Sequence, residues 1–131
     1  MKIVIKKGNK VDVYVGSTLK ISATYVENII GGSGNDTFLV EKGAELKGYI
    51  DGGAGTNSLS YTDPDAVLFF DDSYTGSVIT DFGTNSDQNG KSTAIDSFAL
   101  NGIRNIDAVT GGNANDFLKG GTGVDLSLIH I

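Results

Sequence analysis

The sequence predicts an all-β protein in which short strands alternate with glycine-rich turns. A nine-residue pattern, G-G-x-G-x-D-x-U-x with U a large apolar residue, recurs along the chain. Glycine is frequent, with 19 of 131 residues, against an average of about 7% in proteins. Apolar and polar residues alternate over short stretches, and no stretch has convincing helical periodicity. These observations favour strands that begin at regular turns.

Two copies of the pattern lie in the first half of the chain. Residues 31–39 read GGSGNDTFL and match it throughout, whereas residues 52–60 read GGAGTNSLS and carry Asn57 where the pattern has Asp. Positive φ angles at the glycines turn the backbone, and its carbonyl groups then face inward. An Asp carboxylate beside those carbonyls suits a hard cation such as Ca²⁺. The two copies therefore predict calcium-binding turns.

Two further copies lie near the end of the chain. Residues 111–119 read GGNANDFLK, with Ala114 in place of a glycine, and residues 120–128 read GGTGVDLSL and keep the pattern only as far as Asp125. Because an apolar residue follows three of the four turns on schedule, a flexible linker is disfavoured. The residues predicted to hold metal are Gly32, Gly34, Asp36, Asp51, Gly53, Gly55, Asn57, Gly112, Asp116, Gly121, Gly123 and Asp125.

Strands are predicted wherever β-forming residues alternate between turn signals. Residues 83–92, which have no apolar anchor, are predicted to form an exposed loop. Residues 25–38 align with residues 105–118 at an offset of 80, which indicates a longer internal repeat. The predicted strands are 3–5, 11–15, Thr18–Ala23, Thr37–Val40, 48–50, 58–61, 67–70 and 77–80.

Composition excludes several classes of function. The net charge of −6 argues against nucleic-acid binding, and the absence of cysteine excludes disulfides and thiolate catalysis. The chain has 13 Asp but only 3 Glu, which favours turns and ligand loops over a general solvating surface. No apolar run is long enough for a membrane span, and residues 1–7 lack the apolar region of a signal peptide. No catalytic triad, zinc motif or phosphate loop is present, so we expect no enzymatic activity in this segment.

The order ENIIGGSGNDTFLV, GYIDGGAGTNSLSY and IRNIDAVTGGNANDFLKGGTGVD resembles the haemolysin-type calcium-binding repeats of large secreted bacterial RTX proteins. The resemblance covers residues 25–125, while residues 1–24 are predicted to form strands without a family motif. It implies a parallel β-roll, or β-solenoid, with interrupted GGxGxD nonapeptide turns, Ca²⁺ as the cofactor, and extracellular localisation after type I secretion. Further repeats of the same polypeptide are the implied partners, in an adhesin-like protein whose surface or matrix receptor the sequence does not name.

Within such a roll, turns on the same side are about 18 residues apart in perfect repeats. Gly31 and Gly52 are 21 residues apart, so we pair residues 31–36 with residues 52–57 as the most complete calcium site and treat residues 41–46 as a small insertion. Asn57 brings no charge, so this site is expected to be weak, and Asp51 is a candidate to compensate. Gly111 and Gly120 are nine residues apart, which predicts turns on opposite sides.

The main interpretation is a calcium-binding structural module, and two others remain open at this point. The segment could instead belong to the repeat region of a secreted RTX protease or lipase, or it could be a calcium-independent β-solenoid spacer. Residues 126–131 (LSLIHI) are what a transposon-end sequencing adapter encodes, so we expect them to be an artefact outside the native fold.

Overall fold

The computed structural model describes residues 1–61, 79–81, 91–92, 103–111, 117–119 and 127–129. Within these residues the chain forms strands and no helix, which confirms the all-β prediction. The strands are β1 (Lys2–Lys6), β2 (Lys10–Val15), β3 (Thr18–Ala23), β4 (Ile29–Ile30), β5 (Thr37–Val40), β6 (Ile50–Asp51), β7 (Ser58–Ser60), β8 (Ile79–Asp81), β9 (Lys91–Ser92), β10 (Ile103–Arg104), β11 (Ala108–Thr110), β12 (Phe117–Lys119) and β13 (Ser127–Ile129).

The largest sheet has seven strands in the order β13-β11-β7-β5-β1-β2-β3. It is mixed, since β1, β5, β7, β11 and β13 pair in parallel whereas β1, β2 and β3 form an antiparallel meander. A second sheet, β10-β6-β4, is entirely parallel. A third sheet, β12-β8-β9, contains one parallel and one antiparallel pair. The described part is thus all-β with mixed and parallel sheets.

Parallel pairing brings chain segments 21 residues apart side by side. Ile29 pairs with Ile50 in the second sheet, and Phe38 pairs with Leu59 in the first. Between them, Ser33 forms an isolated parallel bridge with Ala54. The same offset therefore holds before, within and after the glycine-rich turn, and it places residues 31–36 directly against residues 52–57.

Apolar side chains in register form the core. Ile3, Phe38, Leu59 and Val109 are neighbours across four strands of the first sheet and are at most 2% exposed. The second sheet contributes an equivalent row, and both rows belong to one buried cluster. Burying each such side chain stabilises the fold by about 1.5–3 kcal/mol. The members of the second row are Ile29, Ile50 and Ile103.

The segment 41–46 has a structural role beyond that of an insertion. Ala44 and Leu46 are 3% and 1% exposed and belong to the main core cluster. The Ala44 N–H donates to the Glu41 carbonyl at 3.0 Å, which closes a tight turn after β5. The segment, which lies between the two turns along the chain, therefore contributes to the core.

Some predicted elements differ from the observed ones. Lys91–Ser92, within the predicted exposed loop, forms β9 against β8, so the loop prediction is wrong there. The 80-residue sequence repeat is not the stacking repeat, because it equates Ile29 with Val109, which lie in different sheets.

Two further predicted segments differ in whether the structure describes them. The predicted strand 67–70 lies outside the described residues. Ser127–Ile129, within the segment attributed to an adapter, forms β13 and pairs in parallel with β11.

Other predictions match closely. Thr18–Ala23 and Thr37–Val40 are strands with the predicted bounds. The three N-terminal strands cover residues predicted to be strands without the repeat motif, and β3 forms the exposed edge of the seven-stranded sheet. In the part of the chain that the structure describes, no helix has the length and apolar character needed to cross a membrane.

Candidate calcium-binding turns

Short strands on either side hold the two complete turns in place. Residues 31–36, here called the upper turn, connect β4 to β5, and residues 52–57, the lower turn, connect β6 to β7. The glycines of these two turns that are predicted to contribute carbonyl ligands lie in the left-handed region, where side chains are strained. Their φ angles are 100° for Gly32, 111° for Gly34, 75° for Gly53 and 99° for Gly55.

The upper and lower turns stack through their backbones. The Ala54 N–H donates to the Gly32 carbonyl at 2.8 Å. A β-carbon on Gly53 would overlap the same Gly32 carbonyl oxygen, and one on Gly55 would overlap the Gly34 oxygen. The stacking distance therefore requires glycine at these lower-turn positions in addition to the φ requirement.

Asparagine side chains bond across the stacked turns. The Thr56 N–H donates to Asn35 Oδ1 at 2.9 Å, and the Asp36 N–H donates to Asn57 Oδ1 at 3.0 Å, each over 21 residues. A third bond of this kind, from the Tyr49 N–H to Asn28 Oδ1, lies just before the lower turn. Sequence reasoning did not single out Asn28 or Asn35. Each of these asparagines lies 21 residues before the residue whose backbone N–H it accepts, and this spacing is the sequence signal that identifies it.

Asp36 is the buried carboxylate of the upper turn, with 2% exposure. Its Oδ1 accepts from the Met1 ammonium group at 2.9 Å, and the same ammonium donates to the Asn35 carbonyl at 3.0 Å. Its Oδ2 is buried and has no hydrogen-bond partner. A buried acceptor without a partner costs about 1–3 kcal/mol, more if it is charged.

That unpartnered oxygen and a backbone carbonyl oxygen both lie close to Gly31. Asp36 Oδ2 and the Gly52 carbonyl oxygen lie 2.5 Å and 2.6 Å from the point that a β-carbon on Gly31 would occupy. Two acceptors thus approach the same point beside Gly31, and neither can donate to the other. This arrangement fits a bound cation, whose positive charge would satisfy both oxygens at once.

Asn57, in the lower turn, has its side chain fully hydrogen-bonded. While its Oδ1 accepts from Asp36, its Nδ2 donates to the Asn105 carbonyl at 3.0 Å and to the Gly53 carbonyl at 3.4 Å. The residue is 1% exposed. The side-chain oxygen predicted to bind metal is therefore engaged by a backbone N–H.

A third connection, residues 105–107, joins β10 to β11 and stacks below the lower turn. Asp107 Oδ2 accepts from the Asn57 N–H at 2.6 Å, and the Asp107 N–H donates back to the Asn57 carbonyl at 2.8 Å. Asn105 has a positive φ of 54°. Sequence reasoning overlooked this connection because it lacks paired glycines, although Asn and Asp in a short turn are a signal for it.

Asp51 lies just before the lower turn and is half-buried. Its Oδ1 accepts from the Gly53 N–H at 2.9 Å and from Asn105 Nδ2 at 2.6 Å. The carboxylate thus caps the start of the turn and ties it to the third connection. These bonds give Asp51 a turn-stabilising role whether or not it also binds metal.

The five remaining predicted ligands belong to the last two copies of the sequence pattern. They are Gly112, Asp116, Gly121, Gly123 and Asp125, and they lie outside the described residues.

The described residues offer few carboxylates for a metal ion. Across the described ranges, no three acidic, His or Cys side chains come together as a metal cluster. A Ca²⁺ ion at the upper turn would therefore take one carboxylate, from Asp36, and otherwise backbone carbonyl oxygens, which is an oxygen-only set that suits this ion.

A separate charged group lies on the N-terminal meander. The Asp12 carboxylate accepts from Ser22 Oγ at 2.6 Å and pairs with Lys6 Nζ at 2.9 Å. The hydrogen bonds from Ser22 and Lys6 hold the pKa of the Asp12 carboxyl below its ordinary value. The bond to Asp12 in turn raises the pKa of Lys6 above its ordinary value. This group joins three strands and is distinct from the stacked turns.

Comparison with known proteins adds no relative from which a role can be transferred. No family model matches the chain, and neither the curated proteins nor the solved structures contain a significant match.

Proposed function

We propose that this chain is a calcium-binding structural module, a Ca²⁺-dependent β-roll of a secreted, adhesin-like protein of the RTX type. The single observation that carries the proposal is the buried Asp36 Oδ2, which has no hydrogen-bond partner and, like the Gly52 carbonyl oxygen, lies close to the β-carbon position of Gly31. The motif resemblance and the positive φ angles of the turn glycines support the same function.

The pairing pattern supports the roll in this proposal. Parallel partners 21 residues apart in two sheets, joined by stacked turns, are what successive coils of a roll would produce. Each coil would be too small to bury a core alone and would depend on its neighbours. Ions between turns would then contribute directly to folding.

The expected energetics match an extracellular site. Weak oxygen sites of extracellular modules have Kd values of about 10⁻⁴–10⁻³ M. At about 10 times Kd, which is about 1 mM for the tighter of these sites, one bound ion stabilises the folded state by about 1.4 kcal/mol. Calcium at extracellular concentrations would thus favour folding after secretion, while the chain would remain less ordered inside the cell.

The test is a Ca²⁺ titration of the full chain, followed by far-UV circular dichroism and thermal unfolding, with Mg²⁺ as the control ion. We expect β signal and melting temperature to rise with Ca²⁺ and not with Mg²⁺. The Asp36→Ala variant should lose this response, and Asp12→Ala serves as the control for a buried carboxylate away from the stacked turns, with a melting temperature that should still rise with Ca²⁺. A wild-type spectrum and melting temperature identical in Ca²⁺ and in chelator would refute the proposal.

One observation favours a second candidate, a calcium-independent spacer. In the lower turn the Asn57 side chain bonds the Asp36 N–H and the Asn105 carbonyl without a metal ion. If all turns of the parent array resembled this one, the array would need no metal. The same titration distinguishes the candidates, because a spacer would be fully folded in chelator.

A further inference from the structure

The side chain of Asn57 joins three stacked segments, which we call the levels of the stack: the upper turn, the lower turn and residues 105–107. It accepts from the backbone of Asp36 above, and it donates to the carbonyl of Asn105 below at 3.0 Å. Its second donor contact, at 3.4 Å, reaches the Gly53 carbonyl of its own turn. One neutral amide therefore supplies both the acceptor and the donors that this buried position needs.

The amide nitrogen of Asn57 occupies the place that Asp36 Oδ2 occupies one level higher. Asp36 Oδ2 and the Gly52 carbonyl oxygen crowd the β-carbon position of Gly31. In the same way, Asn57 Nδ2, at 2.7 Å, and the Asn105 carbonyl oxygen crowd the β-carbon position of Gly52. The backbone geometry is alike, but the lower level has a donor facing the carbonyl where the upper level has an acceptor.

We infer that the side-chain amide of Asn57 takes the place of a bound cation between the lower turn and the Asn105 carbonyl. The N–H groups of the amide bring the partial positive charge that a carboxylate at this position would have to obtain from a metal ion. This junction consequently forms without calcium, while at the junction above it Asp36 Oδ2, which does not share the Met1 ammonium contact of Oδ1, is left for a metal ion. The inference deepens the proposed function and rests on it for the calcium requirement at Asp36.

The identity of one residue then decides whether a level of the stack responds to metal. With Asp at position 57, a carboxylate oxygen would face the carbonyls of Asn105 and Gly53, and only a cation could satisfy all three. With Asn, the side-chain amide donates to these carbonyl groups, so this level needs no metal ion. The module would therefore have a metal-independent lower part on which the calcium-responsive upper turn is built.

The test is the Asn57→Asp variant, melted in EGTA and in saturating CaCl₂, with Asn57→Ala as the matched control that removes both bonding functions. In EGTA both variants should melt lower than wild type by roughly 5 °C. Calcium should restore Asn57→Asp to near the wild-type value but leave Asn57→Ala low. An Asn57→Asp melting temperature that is unchanged in EGTA, or one no more responsive to calcium than that of Asn57→Ala, would overturn the inference.

A measurement on the wild-type chain applies even where the variants do not fold. Amide hydrogen exchange in EGTA should leave the N–H groups of Asn57 and Asp107 protected, while the Gly31 N–H becomes exposed to exchange. If the N–H groups of Asn57 and Asp107 lose their protection in EGTA along with the N–H of Gly31, the inference is contradicted.

The two proposals fail in different ways. If wild type ignores calcium but Asn57→Asp acquires a calcium response, the inference stands and the proposed function falls. If wild type responds to calcium but Asn57→Asp is not rescued, the proposed function stands and the inference falls.

Discussion

Asp36 and Asn57 hold the same position in consecutive stacked turns, and the backbone N–H of Asp36 donates to Asn57 Oδ1 at 3.0 Å. Both side chains are almost fully buried. The amide of Asn57 satisfies the surrounding groups, whereas one oxygen of Asp36 has no partner. The difference between one carboxylate oxygen and one amide nitrogen is the basis of the first prediction.

Asp36→Asn should remove the calcium response and stabilise the metal-free protein. In this variant the new Nδ2 can donate to the Gly52 carbonyl, as Asn57 Nδ2 donates to that of Asn105. This new hydrogen bond should contribute about 1 kcal/mol in EGTA, whereas the weakened contact with the partly exposed Met1 ammonium should cost about 0.2–1 kcal/mol. We therefore expect a small net rise in the free energy of unfolding in EGTA. Urea unfolding of both proteins with and without Ca²⁺ measures the two effects. A variant that is less stable than wild type in EGTA would show that the unpartnered oxygen does not cost what we infer.

Gly53→Ala should destabilise the stacked turns more than a glycine substitution at an open turn. Both Gly53 and Gly16 have positive φ, at 75° and 60°, so alanine is strained by about 1–2 kcal/mol at either. Only at Gly53 would the β-carbon also overlap the Gly32 carbonyl oxygen, since nothing lies within 4 Å at Gly16.

The steric overlap should cost Gly53→Ala a further ~1–3 kcal/mol over Gly16→Ala. Chemical denaturation of the two variants gives the comparison directly. Equal losses of stability would indicate that the turns are farther apart in solution than in this structure.

Phe38→Ala should be among the most damaging core substitutions. Phe38 is 0% exposed and lies between Ile3 and Leu59 in the apolar row of the first sheet. Its truncation should reduce the free energy of unfolding by about 3–5 kcal/mol. Leu19→Ala is the control, because Leu19 is 49% exposed on the edge strand and should change stability by less than about 0.5 kcal/mol. Similar effects of the two substitutions would contradict the position of the core.

Asp12→Asn should make the free energy of unfolding depend less on pH in the acid range. The folded-state pKa of Asp12 lies below its ordinary value of 3.8, chiefly because Ser22 and Lys6 donate to it. A lowered carboxyl pKa contributes stability that is fully present above the unfolded-state value and is lost as the pH falls through the folded-state value.

We therefore expect wild type to lose stability relative to Asp12→Asn as the pH falls from about 4 downward. Urea unfolding across pH 2–7 measures the difference between the two curves. For Lys6, whose pKa is raised, the corresponding contribution is present below 10.5 and is lost as the pH rises through the folded-state value. Parallel curves for wild type and Asp12→Asn in acid would show that the ion pair is equally populated in the unfolded chain.

Local patterns were sufficient to predict much of the strand content. Thr37–Val40 follows its glycine turn on schedule, and Thr18–Ala23 alternates between turn signals, so both strands have the predicted bounds. Lys91–Ser92 was predicted wrongly because its own residues are typical of a loop, and its pairing with β8 is not visible in the local pattern. Asn28 and Asn35 were overlooked for the same kind of reason, since each bonds a backbone amide 21 residues away.

The sequence by itself determined the all-β class, the turn glycines and the pairing of residues 31–36 with residues 52–57, because each depends on local backbone preference or on spacing. Only the tertiary structure decided what Asp36 and Asn57 do. Their roles depend on the carbonyl groups of Gly52 and Asn105, which reach these side chains only when the levels stack. The sequence repeat equated residues 80 apart, but burial of Ile29 and Val109 in different sheets overrode it, since pairing follows the register that closes the core.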